Sequence, residues 1–334
     1  MGLKDAAVID VHAHVVIAET MGAAGPFGPE IGQHPDGMPW FRVGSYRLDG
    51  VRYVGGPFME ADLRVQRMDQ AGIDVQVLSP NPLTYFHFID PAAAVTFCRT
   101  HNEALARIVA AHPGRLAAFA ALPLQDPAAA VAELEHAVTS LGFLGGYIGT
   151  DSPVPLDHPS LDQFYAACVR LDVPLFIHPG PAGLDGPPGD PNLKRFDLDV
   201  VIGFAAQETI AVATLIYGGV LDRHPQIDIC LSHGGGSSAY LLGRMERAAR
   251  KRPWSPPELR QDGAFEERYA RLWFDNHLNS ERSEHFFEQI VGRERLVYGT
   301  NFSGWDAPDL GTAHRPAPDL ADNARRLLRV GKAR

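Results

Sequence analysis

Three cysteines in 334 residues, Cys98, Cys168 and Cys230, are too few and too widely spaced for a disulfide framework or a zinc knuckle. Their scarcity suits a reducing compartment, and the cytoplasm is the expected location. The first residues lack a basic segment followed by a long apolar one, so no secretory leader is expected. No apolar run approaches the ~20 residues of a membrane span. Positive charge is also short: 30 Lys and Arg stand against 40 Asp and Glu, a formal net charge of −10. The one basic tract, Arg244, Arg247, Arg250, Lys251 and Arg252, has the character of a helix end. The balance argues against nucleic acid or an anionic membrane as partner. No Gly-x-Gly-x-x-Gly turn follows an early strand, and no P-loop lysine accompanies Gly234-Gly235-Gly236. Those glycines read instead as a close backbone turn beside a buried site. Low-complexity tracts and internal repeats are missing as well.

What is present is a large apolar complement, 45% of the residues, arranged in alternating short strands and longer helices. Strands are expected at 8–15, 75–80, 116–122, 145–149, 174–178, 227–233, 272–277 and 296–300. Helices are expected at 60–71, 91–111, 127–141, 161–171, 208–221, 243–250, 284–291 and 320–330. Alternation of this kind argues for a parallel sheet, and eight units argue for a (β/α)8 TIM barrel spanning residues 1–334 as one domain. An open doubly wound sheet is the runner-up. The Gly/Pro-rich stretch 21–57 is too long for an ordinary loop. It is expected to be a small insertion or lid after the first strand, with 41–43 and 51–54 pairing as a hairpin.

The first strand contains Asp10-Val11-His12-Ala13-His14. Strand side chains alternate faces, so His12 and His14 point the same way about 6.6 Å apart, a separation at which two imidazoles can grip one metal ion. Chemistry in such a barrel sits at the C-terminal ends of the strands. Later strands end in His178, in His233, in Asp275-Asn276-His277 and in Asn301. Imidazoles suit zinc, iron or manganese, and three protein ligands with an open position is the usual catalytic arrangement for zinc. His178 reads as a ligand, and His233 as a ligand or a base. His87, His277 and Asp275 are open between facing the pocket and packing. His112 and His224 precede prolines and read as helix-end residues. His34, His101, His136, His158, His285 and His314 read as ordinary.

These motifs together resemble the amidohydrolase superfamily, in its branch of aminocarboxymuconate-semialdehyde decarboxylase and related non-oxidative aromatic-acid decarboxylases. The resemblance is carried by Asp10-Val11-His12-Ala13-His14, Arg67-Met68-Asp69, Gly72 to Leu78, Leu122-Pro123-Leu124-Gln125, Ile148-Gly149, Phe176-Ile177-His178-Pro179, Ser232 to Gly236 with Leu242-Gly243-Arg244, and Asn323-Ala324. It implies a barrel with one divalent metal, zinc first and manganese or iron as alternatives, and no organic cofactor. It implies His12, His14 and His178 as ligands and His233 as the acid/base. Arg52 matches an arginine that binds a substrate carboxylate. Arg244 matches one supplied to the neighbouring subunit's site, so a homodimer is expected. Guanidinium suits both roles because it meets carboxylate bidentately.

One position departs from the pattern. The family's eighth strand ends in Gly-Thr/Ser-Asp, and that Asp completes the metal site; here Asn301 follows Gly299-Thr300. An amide offers a carbonyl oxygen but neither charge nor a proton to shuttle. Asn301 is expected to complete the site, with Asp306 and Asp275 as substitutes. The leading expectation is a metal-dependent carboxy-lyase acting on a small aromatic or muconate-type carboxylic acid. The alternative is a hydrolase or hydratase acting on a carbon–carbon, lactone or amide bond, and a degenerate, metal-free site stands third.

Overall fold

The computed structural model describes residues 2–186, 189–307 and 316–331. Strand β1 (Ile9–Val15) is buried along its whole length. Three antiparallel strands follow, β2 (Glu30–Gln33), β3 (Pro39–Val43) and β4 (Tyr46–Asp49). The expected hairpin is therefore corrected in register: 41–43 pairs with 46–48, not with 51–54. Gly44, at φ 56, makes the turn tight enough to bring the nearer run alongside. These strands share an apolar cluster (Phe41, Val43, Tyr53, Phe58, Leu83, Phe86) with the segment after β5 (Val75–Pro80), so the 21–57 stretch is packed down.

The chain then alternates: α1 (Ala61–Ala71) before β5, then α2 (Pro91–Ala111), β6 (Leu116–Ala118), β7 (Ala120–Ala121), α3 (Pro127–Thr139), β8 (Gly146–Gly149), α4 (Asp162–Arg170) and β9 (Leu175–His178). Next come α5 (Leu198–Val201), α6 (Gly203–Tyr217), α7 (Val220–Arg223), β10 (Ile229–Leu231), α8 (Ser238–Lys251), α9 (Ala264–Tyr269), β11 (Trp273–Asp275), α10 (Glu281–Val291), β12 (Leu296–Val297) and α11 (Pro318–Leu327). Boundaries are sharp where the sequence punctuates them. Asp90 and Asp126 cap α2 and α3, accepting backbone N–H groups ahead of a first-turn proline. Gly72 ends α1 at φ 69. Helix α6 begins five residues before its expected start, and no side-chain cap marks that start in the sequence. Helix α9 is too short to show a period.

All pairings outside the β2–β4 sheet are parallel. One run is β1-β5-β6 and the other β7-β8-β9-β10-β11-β12. The runs meet at both ends. Phe119 N–H donates to Leu78 O and Ala120 N–H to Gly145 O, so the chain changes partner between β6 and β7. Val11 N–H donates to Tyr298 O, and Ala13 bridges Phe302 in parallel, so the segment after β12 lies against β1. One apolar cluster takes residues from every parallel strand except β7, among them Val11, Val77, Tyr147, Phe176 and Cys230, with Phe119 from between β6 and β7. A larger one fills the space between strands and helices.

The helical run Leu198–Tyr217 is, by length and composition alone, apolar enough to cross a membrane, which corrects the expectation of no such run. Its two acids are buried: Asp199 pairs with Lys194 at 3.0 Å, and Glu208 reaches a site histidine.

After β10 the three glycines sit at φ 62, 67 and 66. A Cβ on Gly236 would lie 2.1 Å from the backbone oxygen of Ala205, at the start of α6. The left-handed conformation alone costs an L-residue about 1–2 kcal/mol, and the clash adds to it. Gly236→Ala is expected to lower the unfolding free energy by at least about 2 kcal/mol in urea titrations. A change within about 0.5 kcal/mol, the range of a neutral surface substitution, would show that this close approach is not required.

Candidate metal centre

The polar ends of the parallel strands converge. His12 and His14 leave β1, His178 ends β9, His233 follows β10 and His277 follows β11. The rings of His12, His14 and His178 stand edge to face with centroids 4.6 to 5.1 Å apart, and one nitrogen from each lies within 4.8 Å of the others. All three side chains are buried. The register of β1 on β5 slips between Asp10 and Ala13, so His12 sits at an irregularity in the strand. Such bulges re-aim side chains near functional sites.

Hydrogen bonds fix which nitrogen carries the proton. His14 Nδ1 donates to Pro80 O at 2.9 Å, and His178 Nδ1 to Pro179 O at 2.7 Å. Carbonyl oxygens only accept, so both Nε2 atoms present bare lone pairs, and these face each other at 3.3 Å. His12 Nδ1 donates to Asp275 Oδ2 at 2.8 Å. Its Nε2 is buried without a hydrogen-bond partner among the described residues. Burial holds all three rings neutral, pushing His14 down to about 3 and His12 and His178 well below the usual histidine range. Three converging lone pairs with no proton to share repel one another, and a cation removes that repulsion. The donor set therefore fits a divalent metal. Asp275 orients one ligand from behind, the carboxylate–histidine arrangement common at metal sites.

The layer beneath is equally fixed. Asp10 accepts from Thr300 Oγ1 at 2.7 Å, Gln76 Nε2 at 2.8 Å, and the Thr300 and His12 backbone N–H groups. Burial nevertheless pushes its carboxyl up to about 6. Buried Arg64 donates to Gln76 Oε1 at 3.0 Å and to His14 O at 2.5 Å. These contacts tie β1 to α1, β5 and the end of the last strand.

His233 stands 4.9 Å, ring to ring, from both His12 and His178. Its Nδ1 bonds Glu208 Oε1 at 2.9 Å, and Ser232 Oγ donates to the same oxygen. Burial lowers the His233 pKa, but the Glu208 charge and hydrogen bond outweigh it and push the ring up to about 9. Sequence reasoning missed Glu208; its signal was a lone acid inside an apolar helix. His277 Nε2 bonds Asp306 Oδ2 at 3.1 Å, and Asn301 Nδ2 donates to Asp306 Oδ1 at 2.6 Å. Burial would raise Asp306, yet His277, His233 and Asn301 hold it at about 2. His233, His277 and Asp306 form a second group with ligand atoms within 4.8 Å of one another.

The two expected arginines stand apart from the cluster. Arg52 is exposed and lines a cavity with Arg67, Tyr298 and Trp305 that none of these histidines lines. Arg244 is exposed on α8, one turn from Tyr240. His87 lines a separate cavity beside Tyr85 and Tyr147 and pairs with Asp185 at 3.6 Å. His112 and His224 are helix C-caps, as expected. His314 lies outside the described residues.

The sequence model of the amidohydrolase family matches residues 9–330. The chain is 30% identical over 295 residues to gamma-resorcylate decarboxylase of Rhizobium sp. (strain MTP-10005), covering 81% of this chain and 88% of that one. It is 28% identical over 263 residues to 2-amino-3-carboxymuconate-6-semialdehyde decarboxylase of Dictyostelium discoideum, covering 76% and 70%. Among solved structures, 5-carboxyvanillate decarboxylase from Novosphingobium aromaticivorans, with bound manganese, superposes with a TM-score of 0.68 at 25% identity, covering 80% of each chain.

Proposed function

The chain belongs to the amidohydrolase family, and from that membership we propose that it is a metal-dependent, non-oxidative decarboxylase of a small aromatic or muconate-type carboxylic acid. The observation that carries the proposal is the set of three buried, neutral imidazoles whose unprotonated nitrogens converge beside a histidine held by a carboxylate. The two relatives described above are decarboxylases of a muconate and an aromatic acid. In this reading residues 1–334 form one domain, the two parallel runs close into a single (β/α)8 barrel, and the 21–57 stretch is an insertion over its mouth. The hydrogen bonds that join the runs at both ends support closure.

His12, His14 and His178 are the proposed ligands, and zinc or manganese the proposed ion. When bound, the metal supplies positive charge that holds and polarises the substrate's oxygens. His233 is the proton carrier. Its Nδ1 is occupied by Glu208, which leaves Nε2 as the end free to serve the substrate. Breaking the bond to the carboxylate releases carbon dioxide and leaves the electron pair on the ring carbon; the His233 proton goes to that carbon. Arg52 and Arg244 are the proposed carboxylate-binding cations, Arg244 acting in the neighbouring subunit of a cytoplasmic homodimer. Exposed Ile210 on α6 and Tyr240 on α8, two helices in contact, support that interface.

A hydratase or hydrolase is the second reading, favoured by neutral Asn301 beside two separate carboxylate–imidazole pairs. Incubation of metal-loaded protein with hydroxybenzoic acids and carboxymuconates separates the two. Carbon dioxide release with loss of one carboxyl is expected. Products that gain water and keep every carboxyl would overturn the decarboxylase reading.

A further inference from the structure

Three neutral imidazoles leave a divalent ion's charge unmatched. We infer that Asp306 is the carboxylate that completes the centre, and that Asn301 is the residue that positions it. The inference rests on the metal-site reading above.

Four acids bond to the cluster or to its supports, and all four have protein partners; they differ in which side of the imidazoles they occupy. Asp10 spends both oxygens on Thr300, Gln76 and the His12 backbone. Asp275 uses Oδ2 for His12 Nδ1, the side of the ring away from Nε2, and Oδ1 for the His277 N–H. Glu208 bonds His233 and Ser232 through Oε1, on the Nδ1 side of the His233 ring, and its Oε2 is buried without a hydrogen-bond partner among the described residues. Asp306 bonds His277 through Oδ2 and Asn301 through Oδ1, and its placement differs: its carboxylate gathers with nitrogens of His233 and His277, and the rings of those two lie 4.9 and 5.6 Å from that of His12.

The segment around it is shaped for this placement. Asn301 sits at φ 46, a left-handed conformation that Asn tolerates better than most residues. Gly304 N–H donates to Asn301 O at 2.7 Å, which folds the chain back on itself. A Cβ on Gly304 would lie 2.6 Å from Asn301 Nδ2, so only glycine leaves room for the amide that donates to Asp306. The turn thus brings an acid five residues further on back against the amide at 301. A carboxylate absent from one position is supplied from another, and the amide serves as its anchor.

Manganese binding tests this, measured as stoichiometry and Kd by electron paramagnetic resonance titration of the purified full chain. Wild type is expected to bind one equivalent. Asp306→Asn, nearly isosteric, is expected to weaken binding roughly 10- to 100-fold, the usual effect of losing a supporting carboxylate. The double variant Asp306→Asn with Asn301→Asp moves the charge back along the chain and is expected to recover most of that loss. Circular dichroism confirms that each variant is folded. Wild-type affinity in Asp306→Asn would overturn the inference, and so would a loss that the double variant does not recover. Two equivalents in wild type, with the second lost in Asp306→Asn, would assign Asp306 to a separate ion with His233 and His277. No binding by folded wild type would instead overturn the metal site itself.

Discussion

Stripping the protein with a chelator is expected to lower decarboxylation by at least about 10³-fold, and a stoichiometric addition of zinc or manganese is expected to restore it. The size follows from Lewis-acid stabilisation worth several kcal/mol, where each 1.4 kcal/mol is about tenfold in rate. The sign follows from the imidazole arrangement. His14 and His178 turn their protons outward to Pro80 and Pro179, and His12 turns its proton to Asp275. No proton remains to bridge the inward nitrogens, and burial keeps a second one off each ring. The cluster is therefore built to hold a cation rather than to titrate. His14→Ala is expected to reproduce the loss and resist metal rescue, whereas His101→Ala, on α2, is expected to leave metal content unchanged. Full turnover in chelated, folded protein would remove metal from the mechanism.

His233→Asn is expected to lower kcat by roughly 10²–10⁴-fold, the usual worth of a positioned general acid, with KM changed only a few-fold. Asparagine is the suitable replacement because His233 sits at φ 44, where asparagine is tolerated and most residues are strained. It keeps polarity but carries no proton at the substrate side. Metal content is expected to stay at the wild-type level, because His233 belongs with Glu208 rather than with the three converging nitrogens. Loss of the ion with the activity would make His233 a ligand, and unchanged kcat would assign the proton to another group, with His277 the nearest imidazole outside the three proposed ligands.

The parts of this site that were legible in the sequence are those written locally. Alternation within β1 paired His12 with His14, and short apolar runs ending in histidine marked His178 and His233. Prolines and aspartates at helix starts set α2 and α3 almost to the residue. What was not legible depends on partners far along the chain. Asp275 was open between pocket and packing until its contact with His12, 263 residues away, placed it behind a ligand. Glu208 looked like a helix edge because α6 begins without a capping residue. Arg64, within the expected helix 60–71, is buried beneath His14, and only β1 and β5 around α1 decide that. The irregularity at His12 belongs to the register between two strands and has no signature in either one. Asn301 was visible as a departure, but the compensating contact from Asp306 needs the turn between them.

The most direct test is the metal content of the full chain purified without added metal, read by elemental analysis and followed by an assay for carbon dioxide release from aromatic acids. The account predicts close to one equivalent of a divalent transition metal, with turnover proportional to occupancy. Folded protein that carries no such metal, takes none up on titration, and still releases carbon dioxide would contradict it.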